Sequence, residues 1–255
     1  MSFASHYHQA IVLNNVGVAL LERQAYSLAM DTFRGALNEM KLLIRPSLIT
    51  NTNEPTAFPT KFQKAFHALA SIGQDQQDLQ ASGMTLDSIS GFHLPSVLNL
   101  IMDAGCFSAT LTPIKMELAD FESMEDRDSD LDSSIMLYNM ALVHRSVANR
   151  ESSMDKIFRI NKAALRLFRM SFALVSKTPL PEGLSFEEEQ ITVRNRVHAS
   201  SIFLYYQTRT LLDLGLQAEA EACLRHLSML GRELAEMMDM GFTCDGVRPP
   251  TAAAA

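Results

Sequence analysis

The histidines and cysteines are the residues of this 255-residue chain whose chemistry could support metal binding or nucleophilic catalysis. His6 and His8 form a His-x-His pair, which holds a metal ion only when further ligands complete the coordination shell. Cys223 and His226 would share one surface of a helix, as a thiol and its general base must. No Cys-x-x-Cys pair, nucleophile elbow, zinc-protease motif or glycine-rich phosphate loop accompanies these residues in the sequence. We therefore expect no metal, no cofactor and no enzymatic activity.

The composition restricts the classes of partner. The formal net charge is −7, so the chain as a whole repels polyanions such as nucleic acids. No stretch approaches ~18 consecutive apolar residues and no basic residue precedes Arg23, which predicts neither a transmembrane helix nor a signal peptide. Three distant cysteines, Cys106, Cys223 and Cys244, favour a reducing compartment. We expect an intracellular, cytoplasmic protein without membrane or nucleic-acid partners.

The spacing of apolar residues divides the chain into one folded domain with an insertion. A period near 3.6 residues predicts a helical hairpin over 1–46, which Pro46 ends. The segment 47–132 is rich in loop-forming residues, and helical periodicity returns over 133–240 as two further hairpins. The predicted helices there run over 133–149, 153–176, 186–214 and 217–240. The low-complexity tail 241–255 is predicted to be disordered.

Two parts of the insertion carry patterns of their own. Val97–Asp103 and Cys106–Leu111 are two apolar runs around Ala104-Gly105, which is typical of a small β-hairpin. The stretch 117–132 carries eight acidic side chains, a density that is typical of a solvated and mobile segment.

The first hairpin carries small and aromatic residues at fixed spacing. Its first helix has Leu13, Val16-Gly17 and Leu20, and its second helix has Ala29, Phe33 and Ala36. This unit resembles the tetratricopeptide repeat, in which small residues allow two helices to approach closely. A bulkier residue at Gly17 should cost ~1–3 kcal/mol by overpacking.

Two later units are similar but less regular. The second unit has Leu137, Asn139-Met140-Ala141 and His144, followed by Ala164 and Phe168 after an extra stretch of chain. The third unit has Leu204, Thr208 and Leu211 in an unusually long first helix. Its second helix has Ala220, Leu224 and Leu227. The resemblance covers about half of the chain and implies an all-α fold of antiparallel hairpins stacked as a short solenoid.

In this family the first helices line a groove that receives peptides or partner helices. Carried over by position, the resemblance implies a partner-binding groove lined by Asn14, Val18, Tyr138, Leu142, Arg145, Tyr205, Arg209 and Leu212. The alternative is that partner helices or the 46–130 insertion cover this surface. The set of residues that clamps a peptide carboxylate in some members is missing, because Val18 and Leu142 stand where that clamp needs asparagine.

A charge reversal marks the predicted helix 153–176. Four basic residues share one face of it: Arg159, Lys162, Arg166 and Arg169. This basic face could be solvated, could hold the acidic stretch 117–132, or could bind an anionic partner.

These features together favour a protein–protein interaction scaffold or adaptor that binds a peptide or partner helix. The alternative is a structural homo-oligomer that assembles through the methionine-rich C-terminal helix, which carries Met229, Met237, Met238 and Met240.

Overall fold

The computed structural model describes residues 3–44, 112–116, 127–181 and 183–239. All regular structure within these ranges is helical, in agreement with the all-α prediction. The helices are α1 (Phe3–Glu22), α2 (Tyr26–Ile44), α3 (Ser129–Ala148), α4 (Met154–Lys177), α5 (Phe186–Asp213) and α6 (Gln217–Asp239). Within the described ranges, no helix is both long and apolar enough to cross a membrane.

Local sequence signals set several of the helix ends. Ser185 and Glu188 form the reciprocal capping box that their spacing predicts, and α5 begins at the next residue, Phe186. The helix ends before Gly215, whose φ of 73° is a left-handed conformation that favours glycine. The Leu216 N–H then donates to the Leu211 carbonyl oxygen at 2.9 Å, which closes the end of the helix.

Helix α3 begins at Ser129, four residues before the predicted start at 133. Asp128 is its N-cap, and its carboxylate accepts a hydrogen bond from the Leu131 N–H at 3.1 Å. The end of the predicted mobile acidic stretch is therefore the ordered first turn of a helix. The predicted β-hairpin over 97–111, the rest of the acidic stretch and the tail 241–255 lie outside the described residues.

The helices pack in chain order. Each of them packs on the helix that follows it, from α1 to α6, and α3 also touches both α1 and α5. The first helices of the three pairs, α1, α3 and α5, therefore lie next to one another. Their inward-facing residues join one continuous core cluster with residues of α2 and α4. A second, smaller cluster joins Leu165, Leu211 and Ala220 between α4, α5 and α6.

Candidate functional site

A short stretch of the predicted insertion, Thr112–Met116, lies across the first helices of the three pairs. It contains no helix, and alternate residues bond through their main chain to side chains of α5, α3 and α1. An alternation of two residues is the pattern of an extended chain. We refer to Thr112–Met116 as the internal segment.

Asn139 on α3 binds both main-chain polar groups of Ile114. Its Oδ1 accepts from the Ile114 N–H at 2.9 Å, and its Nδ2 donates to the Ile114 carbonyl oxygen at 2.7 Å. The carboxamide thus takes the place of a peptide group on a neighbouring β-strand. Nδ2 also donates to Oδ1 of Asn14 at 2.9 Å, which fixes the orientation of the side chain. Both asparagines are fully buried.

Asn15 on α1 repeats this arrangement at Met116. Its Oδ1 accepts from the Met116 N–H at 2.8 Å, and its Nδ2 donates to the Met116 carbonyl oxygen at 2.7 Å. Nδ2 of the adjacent Asn14 lies 3.3 Å from the Ile114 carbonyl oxygen. The three asparagines therefore satisfy the N–H and the C=O of both buried residues of the internal segment.

Two tyrosines bind Thr112. The Thr112 N–H donates to the hydroxyl oxygen of Tyr206 on α5 at 3.1 Å, and the Tyr138 hydroxyl donates to the Thr112 carbonyl oxygen at 2.8 Å. Burial raises the pKa of Tyr138, so its hydroxyl keeps the proton that it donates. The two rings pack edge to face with centroids 5.5 Å apart. We name the five side chains that bond the internal segment the Asn/Tyr site: Asn14, Asn15, Tyr138, Asn139 and Tyr206.

The contacts follow the register of the three predicted units. In each unit, the second residue after the opening leucine bonds one residue of the internal segment. Asn15 bonds Met116, Asn139 bonds Ile114, and Tyr206 bonds Thr112. The residue just before donates to the next carbonyl group along: Asn14 to that of Ile114 and Tyr138 to that of Thr112. Each helical unit therefore bonds one residue of the internal segment, and successive bonded residues lie two positions apart.

The side chains of the internal segment alternate between the core and the surface. Ile114 and Met116 are buried and belong to the main core cluster. Between them, Lys115 is exposed, and its Nζ lies 3.2 Å from a carboxylate oxygen of Glu22. Pro113 stands at a position where the Asn/Tyr site accepts no N–H, so proline is compatible with the bonding pattern.

The predicted groove residues lie in different environments: some bond the internal segment, some are buried among the helices, and some are accessible to solvent. Asn14 and Tyr138 bond the internal segment, whereas Val18 and Leu142 are fully buried in the core cluster. Arg145 is also buried, where its guanidinium pairs with Asp213 and donates to Oγ1 of Thr210 at 3.3 Å. The remaining three are accessible: Tyr205 and Arg209 are half-buried, and Leu212 is exposed.

The predicted basic face lies on the exposed side of α4. Arg159, Lys162, Arg166 and Arg169 are all exposed, and Arg169 pairs with Glu219 of α6. The described end of the acidic stretch has other partners. Asp128 pairs with Arg196 of α5, and Asp132 pairs with Arg127. Docking of the acidic stretch on the basic face is therefore wrong for residues 127–132, and residues 117–126 lie outside the described part.

The residues that could carry chemistry have structural partners. His6 pairs with Glu39 of α2 through an Nδ1 to Oε2 distance of 2.8 Å. Burial raises the pKa of the half-buried Cys223 thiol, whose sulfur accepts a hydrogen bond from Nε2 of Gln207 at 3.2 Å. Among the described residues, no three metal-ligating side chains converge.

Asn15, Asn139 and Tyr206 are the binding residues that the sequence analysis did not assign to the groove. The available signal was a polar or aromatic residue at the same position of three helical units, the second position after the opening leucine. Buried asparagine at matching positions of two units indicates a repeated hydrogen-bonding demand. The chain matches no protein-family model, and no curated protein or solved structure is significantly similar to it.

Proposed function

We propose that this protein is an interaction scaffold whose first helices hold an extended segment of a protein chain. The observation that carries the proposal is the bidentate bonding of Ile114 and Met116 by Asn139 and Asn15. These asparagines hydrogen-bond the main-chain N–H and C=O of one residue, and every non-proline residue of a polypeptide has both groups.

The packing order of the helices supports a tetratricopeptide-like solenoid as the architecture behind this function. In such a stack the first helices of successive hairpins are neighbours, as α1, α3 and α5 are. One side chain from each first helix can then follow an extended chain at intervals of two residues, or roughly 6.6 Å. A repeated element, rather than a single contact, therefore supports the proposal of a scaffold.

The chemistry of the site selects polypeptide over other ligand classes. The five side chains of the Asn/Tyr site are neutral, and the two buried residues that they bond, Ile114 and Met116, are apolar. Neither a phosphate nor a nucleic-acid backbone would find the positive charge that it needs there. A partner segment with buried apolar residues two positions apart meets both demands.

A peptide selection tests this function. A random peptide library is displayed against the Ile114→Ser/Met116→Ser variant, in which the internal segment has lost its buried side chains. The same selection is run with Asn139→Ala added, and with Asn161→Ala added as the matched control. Asn161 is also a buried asparagine, but it lies on α4.

We expect peptides that are enriched on the variant and on its Asn161→Ala control and that are lost with Asn139→Ala. Circular dichroism must show the same helical signal for all three proteins. Equal enrichment with and without Asn139 would contradict the proposed function.

A further inference from the structure

The internal segment occupies the whole Asn/Tyr site in the structure. All five side chains of the site are bonded to it or, through Asn14, to one another. An external segment that used the same bonds would have to take the place of Thr112–Met116, because the donors and acceptors of the five side chains are already bonded to that segment or to one another.

The chain connections keep the internal segment close to its site. Ten residues, 117–126, join Met116 to Arg127. The far end of this connection is fixed, because Arg127 pairs with Asp132 and Asp132 accepts the Tyr7 hydroxyl at 2.7 Å. Tyr7 belongs to α1, so this anchor lies on the same helix as Asn15.

The hydrogen bonds from the site go to the main chain of the internal segment, so they tolerate different residues there. The side chains of the segment differ in how deeply they are buried. Ile114 is 1% exposed and Met116 is 0% exposed, so apolar residues are required at the first and third of these positions. Lys115 between them faces Glu22, which favours a basic residue there, although both side chains are nearly half exposed and the preference is small.

We infer that Thr112–Met116 is a built-in competitor for a partner segment in extended conformation that carries two apolar residues separated by one residue of any kind. This inference rests on the proposed function and adds the chemistry of the partner and the control of the site. Proline is admitted directly before the first apolar residue, as Pro113 is, because no N–H is needed there.

Mass action sets the size of the effect. A connection of this length gives an effective concentration on the order of 1 mM. If the same sequence binds as a free peptide with a Kd of about 10 µM, the site is closed in about 99% of molecules and an external segment loses about 100-fold in affinity.

The first test measures competition directly. A fluorescently labelled synthetic peptide of residues 110–118 is titrated into the wild type, the Ile114→Ser/Met116→Ser variant and the Lys115→Ser control. We expect the double variant to bind the peptide at least tenfold more tightly than the wild type (about 100-fold by the arithmetic above). The Lys115→Ser control, which changes an exposed residue of the same segment, should follow the wild type.

The outcomes separate this inference from the proposed function. If the peptide binds the wild type and the double variant equally and depends on Asn139 in both, the competition is wrong and the proposed function stands. If no peptide, selected or synthetic, binds either protein through Asn139, both fail. A dimer in which a second copy supplies the segment, seen by light scattering, would also overturn internal competition.

A second test uses the unmodified chain, so it holds even where the double variant does not fold. Hydrogen exchange is followed at the Ile114 and Met116 amides and at the Ala141 amide, which lies in the buried part of α3. We expect the two segment amides to exchange faster than Ala141 and to accelerate further with added peptide. Exchange of all three at one common rate would show that the segment leaves only on global unfolding, which overturns the inference.

Discussion

The ring of Phe33 on α2 lies directly against Gly17 on α1. A β-carbon built on Gly17 would stand 2.7 Å from Cε1 of Phe33, which is closer than two non-bonded carbon atoms approach each other in proteins. Phe33 is fully buried, so any shift of its ring would disturb the side chains packed around it. The first helical pair therefore depends on the absence of a side chain at position 17.

We predict that Gly17→Ala destabilises the protein by about 1–3 kcal/mol in urea unfolding, although alanine is the better helix former. Gly35→Ala is the matched control, because its β-carbon would meet only Cδ1 of Leu13 at an ordinary 3.4 Å. We expect the control to keep or raise the stability, by up to about 1 kcal/mol. Loss of the same size in both variants would rule out the steric explanation.

The second prediction concerns the carboxamide of Asn139. Replacement by alanine removes the acceptor for the Ile114 N–H and the donor to Oδ1 of Asn14, both buried. We expect a loss of about 2–4 kcal/mol in the free energy of unfolding, since each stranded buried group costs about 1–3 kcal/mol. Asn139→Asp should be at least as damaging, because a carboxylate cannot donate to the Ile114 carbonyl oxygen. Asn161→Ala should cost clearly less, because Oδ1 of Asn161 has no hydrogen-bond partner within the described structure.

The third prediction concerns the buried ion pair of Arg196 and Asp128. Nη2 of Arg196 lies 2.9 Å from Oδ1 of Asp128, and Nη1 donates to the Thr178 carbonyl oxygen at 2.7 Å. This guanidinium thus links the start of α3, the end of α4 and the first half of α5. Arg196→Ala leaves the Asp128 side chain, which is 9% exposed, without its partner. We expect a loss of about 3–5 kcal/mol in chemical denaturation.

Arg169→Ala is the control for that prediction. Arg169 pairs with Glu219, and both side chains are about half exposed. An exposed pair contributes about 0–1 kcal/mol, so this variant should unfold close to the wild type. A similar loss in both variants would mean that burial of the Arg196 pair has no special weight.

The sequence predicted the features that depend on neighbours in the chain. Ser185 and Glu188 are three residues apart, and Gly215 directly follows the last turn of α5, so both signals are local. The start of α3 was misplaced although its signal is equally local. Asp128 caps the helix, but its place in an acidic run made it indistinguishable from a solvated charge.

The candidate site could be predicted only in part, because its bonds join distant parts of the chain. Asn15 and Met116 are 101 residues apart in sequence, and no periodicity connects them. The resemblance to the tetratricopeptide repeat implied a groove that includes Asn14 and Tyr138, and both side chains bond the internal segment. It could not reveal that a piece of the insertion would meet their side chains.

The last prediction concerns stability between about pH 6.5 and pH 5. Burial lowers the pKa of His144, and the guanidinium of Arg34 lowers it further. Burial, followed by the charge of Arg194, lowers the pKa of His198 in the same way. In the unfolded chain the pKa values of these histidines are near 6.5, so below this pH the unfolded chain binds more protons than the folded chain. The contribution of these two histidines to stability is constant above this range and decreases as the pH drops through it.

Urea unfolding at a series of pH values checks this sign. His144→Gln and His198→Gln should each reduce the slope of the unfolding free energy against pH. The reduction is at most the contribution of about one bound proton. A stability that rises on acidification between pH 6.5 and pH 5 would contradict the prediction.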